Sequence, residues 1–372
     1  MHERRSLDPQ RIGLSTFGKV IAVVRRSRAF VLLLAVCACS SGGPTSPAGT
    51  SPKTVYVATT GDDRNDGTIA DPWQTLRHAV AQLHAGDTLY VRGGTYTGSA
   101  NTIDSALGTV RGGTSWSNAI TIAGYESETA TIRPPQSHAG IGLTTATAQY
   151  LIFKDLVIDM IEQVGDNGPN GVYLSGGANH NRFLRLEIRN NSDFGLQFSR
   201  NNGNSPFNEV IDCRIHNNGL VGGPMHNGHG LYISTSDNLI EGNDIFDNHG
   251  YGLHLYDNEG ALHVARNIVR NNRIHNNGRH SGPAYGIVVA WGDANQIYNN
   301  VIYGNPGGIQ VYTNSSNTSV YNNTIYNNTP LEGILIQYAT GAKVTDNIVY
   351  GNGVDILDLG SSTTLSNNRA AP

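Results

Sequence analysis

The feature that most restricts what this chain can fold into is a four-residue unit: glycine, an apolar residue, a variable residue, a second apolar residue. It returns seven times, as GVYL at 171, GLQF at 195, GLYI at 230, GLHL at 252, GIVV at 286, GIQV at 308 and GILI at 333. Successive glycines stand 24, 35, 22, 34, 22 and 25 residues apart. Alternation of apolar and variable positions buries one face of a strand. Self-similarity at this period marks a solenoid, in which each repeat covers its apolar side only against its neighbours. Each unit carries a second segment, such as NEVIDCRIHNNG (208–219), NIVRNNRIHNNG (267–278) and NQIYNNVIYGN (295–305). Two or three short strands per coil suit a parallel β-helix. A propeller blade would need four strands, and a leucine-rich consensus is missing. The expected fold is all-β, a parallel β-helix solenoid of about ten coils over residues 54–372.

Asparagine recurs at one phase of the repeat and predicts a buried ladder of Asn243, Asn272, Asn300, Asn323, Asn347 and Asn368, whose side chains hydrogen-bond along the axis. Cys213 stands at the same phase one coil earlier, which marks it as a buried, inert thiol rather than a nucleophile. With 45 glycines, 15% charged and 38% hydrophobic residues, the 372-residue chain is built for tight turns and not for disorder. A net charge of −4 and the lack of any recognition motif give no reason to expect nucleic acid as a partner.

Residues 1–39 read as an export signal. Arg25, Arg26 and Arg28 precede the apolar run AFVLLLAVCA, which is too short to span a bilayer. VCAC resembles a bacterial lipobox with Cys39 as the lipidated residue; residues 40–53 then form a flexible Ser/Gly/Pro tether. The expected location is the cell envelope, through a lipid anchor, or the exterior by ordinary secretion. Cys213 is then the single cysteine of the mature chain, which leaves no disulfide framework.

The block from Thr54 begins with the strand TVYVA and ends with the strand DTLYVRGGTY. Between them a helix is expected, with Asp71 as N-cap, Pro72 at the first helical position, and Gly86 closing the end. This block, with NAITIAGYESETATIRPP (118–135), resembles the start of extracellular right-handed parallel β-helix proteins of the pectin-lyase-like kind, including several polysaccharide lyases. The resemblance implies a right-handed coil, an N-terminal capping helix, a monomer, and action on polysaccharide.

The two long periods locate the candidate site, because insertions in a solenoid go into loops that border its functional face. One insertion is LVGGPMHNGH before Gly230; the other comprises YDNEGALHVAR and GRHSGPAY around the following coil. If Leu253 and Leu255 face the core, His254 and Tyr256 face outward, between Tyr232 and Ser234 on one side and Val288 and Ala290 on the other. The expected catalytic residues are His254, His229, His226, Tyr256 and Asp257. The expected substrate contacts are Tyr232, Tyr285, Trp291, Arg266, Arg279 and Gln310. Aromatic platforms with polar neighbours suit sugar rings, which offer apolar faces and hydroxyl edges. Zinc on His226, His229 and His254, or Ca²⁺ on acidic turn residues, is chemically open, and no motif demands either metal.

Three functions fit. A lyase acting on uronate polymers needs a base (His254 or His229), an acid (Tyr232 or Tyr256) and a carboxylate neutraliser (Arg266 or Arg279). YGLHLYDN (251–258) resembles the catalytic phase of alginate C5-epimerases at Tyr251 and Gly252, but His254 and Tyr256 replace the Asp and His of that motif, so the epimerase activity does not carry over. Related lyases of this fold often use Lys or Arg with Ca²⁺, yet Lys154 is the only lysine between Lys53 and Lys343 and lies far from the strip in coil order. A glycoside hydrolase would need two carboxylates, drawn from Asp257, Glu259 and Asp293. The third reading is a non-catalytic surface rod that binds glycans.

Overall fold

The computed structural model describes residues 51–135, 137–160, 169–219, 228–257, 263–278 and 283–370. Residues 1–50 with Cys39, and also His226, Glu259, Arg279 and His280, lie outside the described residues. The described residues form three long parallel sheets of twelve, ten and ten strands, with a short pair of Val264–Ala265 and Gly292–Asp293 beside them. The first sheet runs from Thr54–Val57 to Thr364–Ser366, the second from Ile103–Asp104 to Val354–Ser361, and the third from Gly94–Thr97 to Ile348–Tyr350. Each complete coil contributes one strand to each of these sheets, and the first sheet has one extra strand at either end; this is the parallel β-helix that the glycine repeat predicts.

Most strands in the middle coils are three residues long, and the central residue points inward. Val210, Ile240, Val269, Ile297, Val320 and Val344 form one inner file; Ile188, Ile215, Ile245, Ile274, Ile302 and Ile325 form another, all fully buried. β-branched residues suit these positions because their stiff side chains pack well on a pleated surface. The second sheet keeps strict register across the repeat, with Leu231, Leu253, Ile287 and Ile309 paired in turn.

Corners between sheets use two residues. The first has left-handed backbone, as at Asn271 (φ 58°), Asn299 (φ 56°) and Asn322 (φ 54°). The second is a buried Asn, here Asn272, Asn300 and Asn323. Asn272 shows how the buried carboxamide is satisfied. Its Nδ2 donates to Asn300 Oδ1 at 2.9 Å and to the Ile240 carbonyl at 3.0 Å, while its Oδ1 accepts from Asn243 N and Nδ2, both at 2.9 Å. A buried polar group is tolerated only when bonded in this way. The expected ladder from Asn243 through Asn368 is unbroken. Two further ladders were not read from the sequence: one runs from Asn181 to Asn295, the other from Asn191 to Asn352. Cys213 fills a ladder slot, its N–H donating to Asn243 Oδ1 and its thiol to the Phe183 carbonyl, and burial pushes that thiol up to about 12.

The repeat glycine has a steric cause at the third corner. A Cβ on Gly230 would lie 2.6 Å from the Gly252 carbonyl oxygen and 2.8 Å from Asn248 Nδ2. Only glycine lets the third ladder and the next coil approach so closely.

The N-terminal helix starts later than its punctuation suggests. It spans Leu76–Ala81, and Thr75, not Asp71, is its N-cap, accepting from His78 N–H. Trp73 is drawn into strand-like pairing, its N–H donating to the Tyr56 carbonyl and its own carbonyl accepting from Ala58. That pairing holds Pro72 and Trp73 extended. The helix buries Leu76, Ala79 and Val80 in the same core as Val55, Val57 and Ile103. Among the described residues no helix is long and apolar enough to cross a membrane.

The ladder makes adjacent asparagines differ sharply. Asn272→Leu strips acceptors from Asn243 and a donor from Ile240, and is expected to lower unfolding free energy by about 3 kcal/mol or more. Asn271→Gly, at the exposed left-handed position, is expected to change it by less than about 1 kcal/mol. Urea denaturation of the two variants checks the difference.

Candidate functional site

The outward residues of the second sheet line up across coils. Gln197, Tyr232, His254, Val288 and Gln310 form one row; Tyr256, Ala290 and Tyr312 form the next. Together with Phe194, His229 and Tyr251 they line a cleft of about 460 Å³. The alternation read from GLHLY is as expected, with Leu253 and Leu255 fully buried and His254 and Tyr256 half-buried on the outer face.

His229 is held in one orientation. It precedes the repeat glycine, where neighbouring coils place Phe194 and Tyr251, and its ring stacks between them at 5.2 and 4.7 Å. The Tyr251 backbone N–H donates to His229 Nδ1 at 2.9 Å. A ring nitrogen that accepts carries no proton, so neutral His229 is protonated at Nε2. That Nε2 lies 3.2 Å from His254 Nδ1, which therefore accepts. Neutral His254 must then carry its own proton at Nε2. The His254 ring lies face to face with Tyr256 (4.8 Å, 15°) and nearly perpendicular to His229, Tyr232 and Tyr251.

The phenols beside it differ in setting. Burial pushes Tyr232 up to about 12, against a hydrogen bond from Ser234, so its hydroxyl is protonated at neutral pH. Burial also raises Tyr251. Gln197 is oriented from behind, because Asn170 Nδ2 donates to its Oε1 at 2.8 Å. Next to this wall, Asp193 accepts from Gly228 N–H at 3.3 Å, and burial lifts its carboxyl to about 6.

The structure thus brings His229, His254, Tyr232, Tyr256 and Gln310 of the expected residues into one cleft. It places Asp257, Arg266, Tyr285 and Trp291 elsewhere, while His226 and Arg279 lie outside the described residues. Asp257 is buried and accepts from Arg200 Nη1 at 2.9 Å and from His263 Nδ1 at 2.7 Å, so its carboxylate serves an ion pair instead of lining the cleft. Arg266 is held in two bonds by Asp237, both 2.6 Å, at a different corner. Tyr285 turns its hydroxyl to Glu332 Oε2 at 2.6 Å and packs with Val288 and Leu335 behind Tyr251; burial, with that bond, holds its phenol far above the usual range. Trp291 occupies a left-handed turn and does not line the cleft. Asp293 accepts from Ser316 Oγ and Asn317 Nδ2. Lys154 ends a strand of the first sheet, on another face.

Phe194 and Tyr251 were missed as site residues. Their signal was present: Phe194, His229, Tyr251 and Tyr285 all directly precede a repeat glycine. Among the described residues no group of three or more His, Cys, Asp or Glu side chains could hold a metal ion. The described residues that line the cleft include no carboxylate for Ca²⁺, the cation that the resemblance implies.

Comparison with known proteins agrees with this architecture. Residues 55–338 match the family described as the Pel9A-like, right-handed beta helix region. The chain is 31% identical over 221 residues to pectate lyase PEL9 of Emericella nidulans, an alignment that covers 54% of this chain and 49% of that protein. Here the chain spans about half the length of the curated relatives it matches. An alginate lyase from Paenibacillus sp. str. FPU-7 superposes with a TM-score of 0.56 at 19% identity, over 86% of this chain and 99% of that one. A structure described as a glycoside hydrolase superposes at 0.62 with 10% identity, over 85% and 96% of the two chains. At such identities these structures share the fold alone. The chain belongs to the Pel9A-like right-handed β-helix family.

Proposed function

We propose that this protein is a polysaccharide lyase that performs β-elimination on a uronate-containing glycan in the His229–His254 cleft. The observation that carries the reading is the hydrogen-bonded pair itself, fixed by the Tyr251 backbone N–H and set beside a protonated Tyr232. Elimination breaks the C5–H and C4–O bonds and forms a C4=C5 double bond, with negative charge gathering on the carboxylate as C5–H breaks. Here His254 offers its Nε2–H to that carboxylate. Tyr232 donates its hydroxyl proton to the departing O4. Tyr256, stacked on His254, takes the C5 proton on its phenolate oxygen. His229 has both nitrogens engaged and acts through His254. Arg279, outside the described residues, is the sequence candidate for a full cation near the site.

The curated pectate lyase relatives support a uronate polymer as substrate. A hydrolase needs a pair of carboxylates across the scissile bond, and among the described residues that line the cleft there is none. The same reading places the protein outside the cell, with residues 1–39 as the signal, Cys39 as the lipidated residue and residues 54–372 as the working domain.

Polygalacturonate and alginate incubated with the protein are expected to yield unsaturated product, seen by its ultraviolet absorbance. Reducing ends without that absorbance would indicate hydrolysis, and neither signal with retained binding would indicate a glycan-binding rod. His254→Ala and Tyr232→Phe are each expected to lower kcat by about 10²-fold or more. A rate that levels off about one unit above pH 6.5 would point to an imidazole base in place of Tyr256. Tyr232 keeps its proton below about 12, so its loss does not limit the rate near neutrality. Asp257→Ala is expected to act on the fold, costing about 3 kcal/mol by leaving Arg200 without its buried partner; urea denaturation separates this from a catalytic loss.

A further inference from the structure

The corner that leads into the first sheet breaks a rule the other corners keep. From Asn190 onward, the left-handed residues of the second and third corners are Asn, Asp or Gly, among them Asp212, Asn217, Asp247, Asn271 and Gly304. At the first corner three consecutive coils instead use the aromatic rings of Tyr150 (φ 51°), His180 (φ 52°) and Phe207 (φ 59°); Asp237, Arg266, Ala294 and Asn317 follow at the same position. Bulky side chains are unfavourable in this conformation. Stacking offsets part of the cost, since Tyr150 lies 4.8 Å from His180 and His180 4.9 Å from Phe207. Phe207 ends the row, however, and 47% of it is exposed. Neither the backbone nor the core asks for a phenylalanine there.

Phe207 borders a hollow of about 230 Å³ that it shares with Trp116, His180, Glu209, Asp237 and Leu239. Both carboxylates are matched by arginine, Glu209 by Arg182 at 2.5 Å and Asp237 by Arg266 at 2.6 Å. The hollow therefore offers apolar surface from Phe207 and Leu239 and strong acceptors without net charge. A pyranose ring has the complementary form: an apolar C–H face and hydroxyl donors around its edge. An anionic sugar finds no spare cation there, since Arg182 and Arg266 are already engaged by Glu209 and Asp237.

We propose that this corner is a second carbohydrate-contact site, separate from the cleft, which holds one uncharged pyranose ring against Phe207 with its hydroxyls on Glu209 and Asp237. It does not depend on the reaction assigned to the cleft. The test is native affinity electrophoresis of the full chain in gels containing highly methyl-esterified pectin, with polygalacturonate as the charged counterpart. Phe207→Asn is the informative variant, because Asn takes this conformation repeatedly at the second and third corners and at Asn317 of the first. The esterified polymer is expected to retard the wild type. In Phe207→Asn the dissociation constant should rise about five- to tenfold, as expected for loss of one ring contact. Its melting temperature should be equal or higher, and its cleavage of a short polygalacturonate oligomer unchanged. Equal retardation of variant and wild type would overturn the site, as would retardation of the wild type by polygalacturonate alone. A lower melting temperature with unaltered binding would reduce the ring row to packing. If the wild type cleaves nothing, the cleft assignment fails while the retardation comparison still decides this one.

Discussion

The carboxamides buried at the corners of each coil are the interaction on which the rest of this structure depends. A strand of three residues cannot hold its place alone, and a solenoid of such strands must turn sharply three times per coil. Each turn leaves backbone groups pointing into the core, where an unpaired polar group costs more than a single hydrophobic contact returns. Asn272 answers this with one side chain, joining the coil before it, the coil after it and a carbonyl between them. Because each carboxamide is bonded to its equivalents above and below, a slip of one coil would break the bonds of all. Register is fixed along the whole axis.

That fixed register positions the site. His229 and His254 belong to different coils, 25 residues apart, and meet because Leu231 pairs with Leu253 and Tyr232 with His254. The N–H that orients His229 is main chain, from Tyr251, and so cannot swing away as a side chain could. From this one bond the protonated nitrogen of each imidazole follows in turn. The order of the ring protons in the cleft is thus set by the same strand pairing that gives the fold.

Much of this was legible in the sequence, for physical reasons that also mark the limits. The glycines at 171, 195, 230 and onward are visible because close approach tolerates no other residue. The Asn243–Asn368 ladder is visible because it recurs at one phase, and the outward placement of His254 follows from the two-residue period of a strand. The Asn191–Asn352 ladder escaped notice because in RIHNNG the paired asparagines have different tasks, Asn217 turning the chain and Asn218 entering the core, and the Asn181–Asn295 ladder because the residue before each asparagine varies, as in His180, Phe207 and Asp237. Asp257 looked catalytic from its place after Tyr256; its partner Arg200 is 57 residues away in sequence, and no local pattern announces a bond of that length. The helix start was misread for a similar reason, since Trp73 is claimed by the first strand.

Membership of the Pel9A-like family accounts for the scaffold, while the proposed chemistry rests on the histidine pair. The most direct measurement of that claim is the protonation pattern of the two imidazoles near neutral pH, read from long-range ¹H–¹⁵N correlations of the ring nitrogens. The account predicts that Nδ1 is unprotonated in both His229 and His254 and that both protons reside on Nε2. A protonated Nδ1 on His229 would contradict it, because the Tyr251 N–H would then have no acceptor and the order imposed on His254 would be lost.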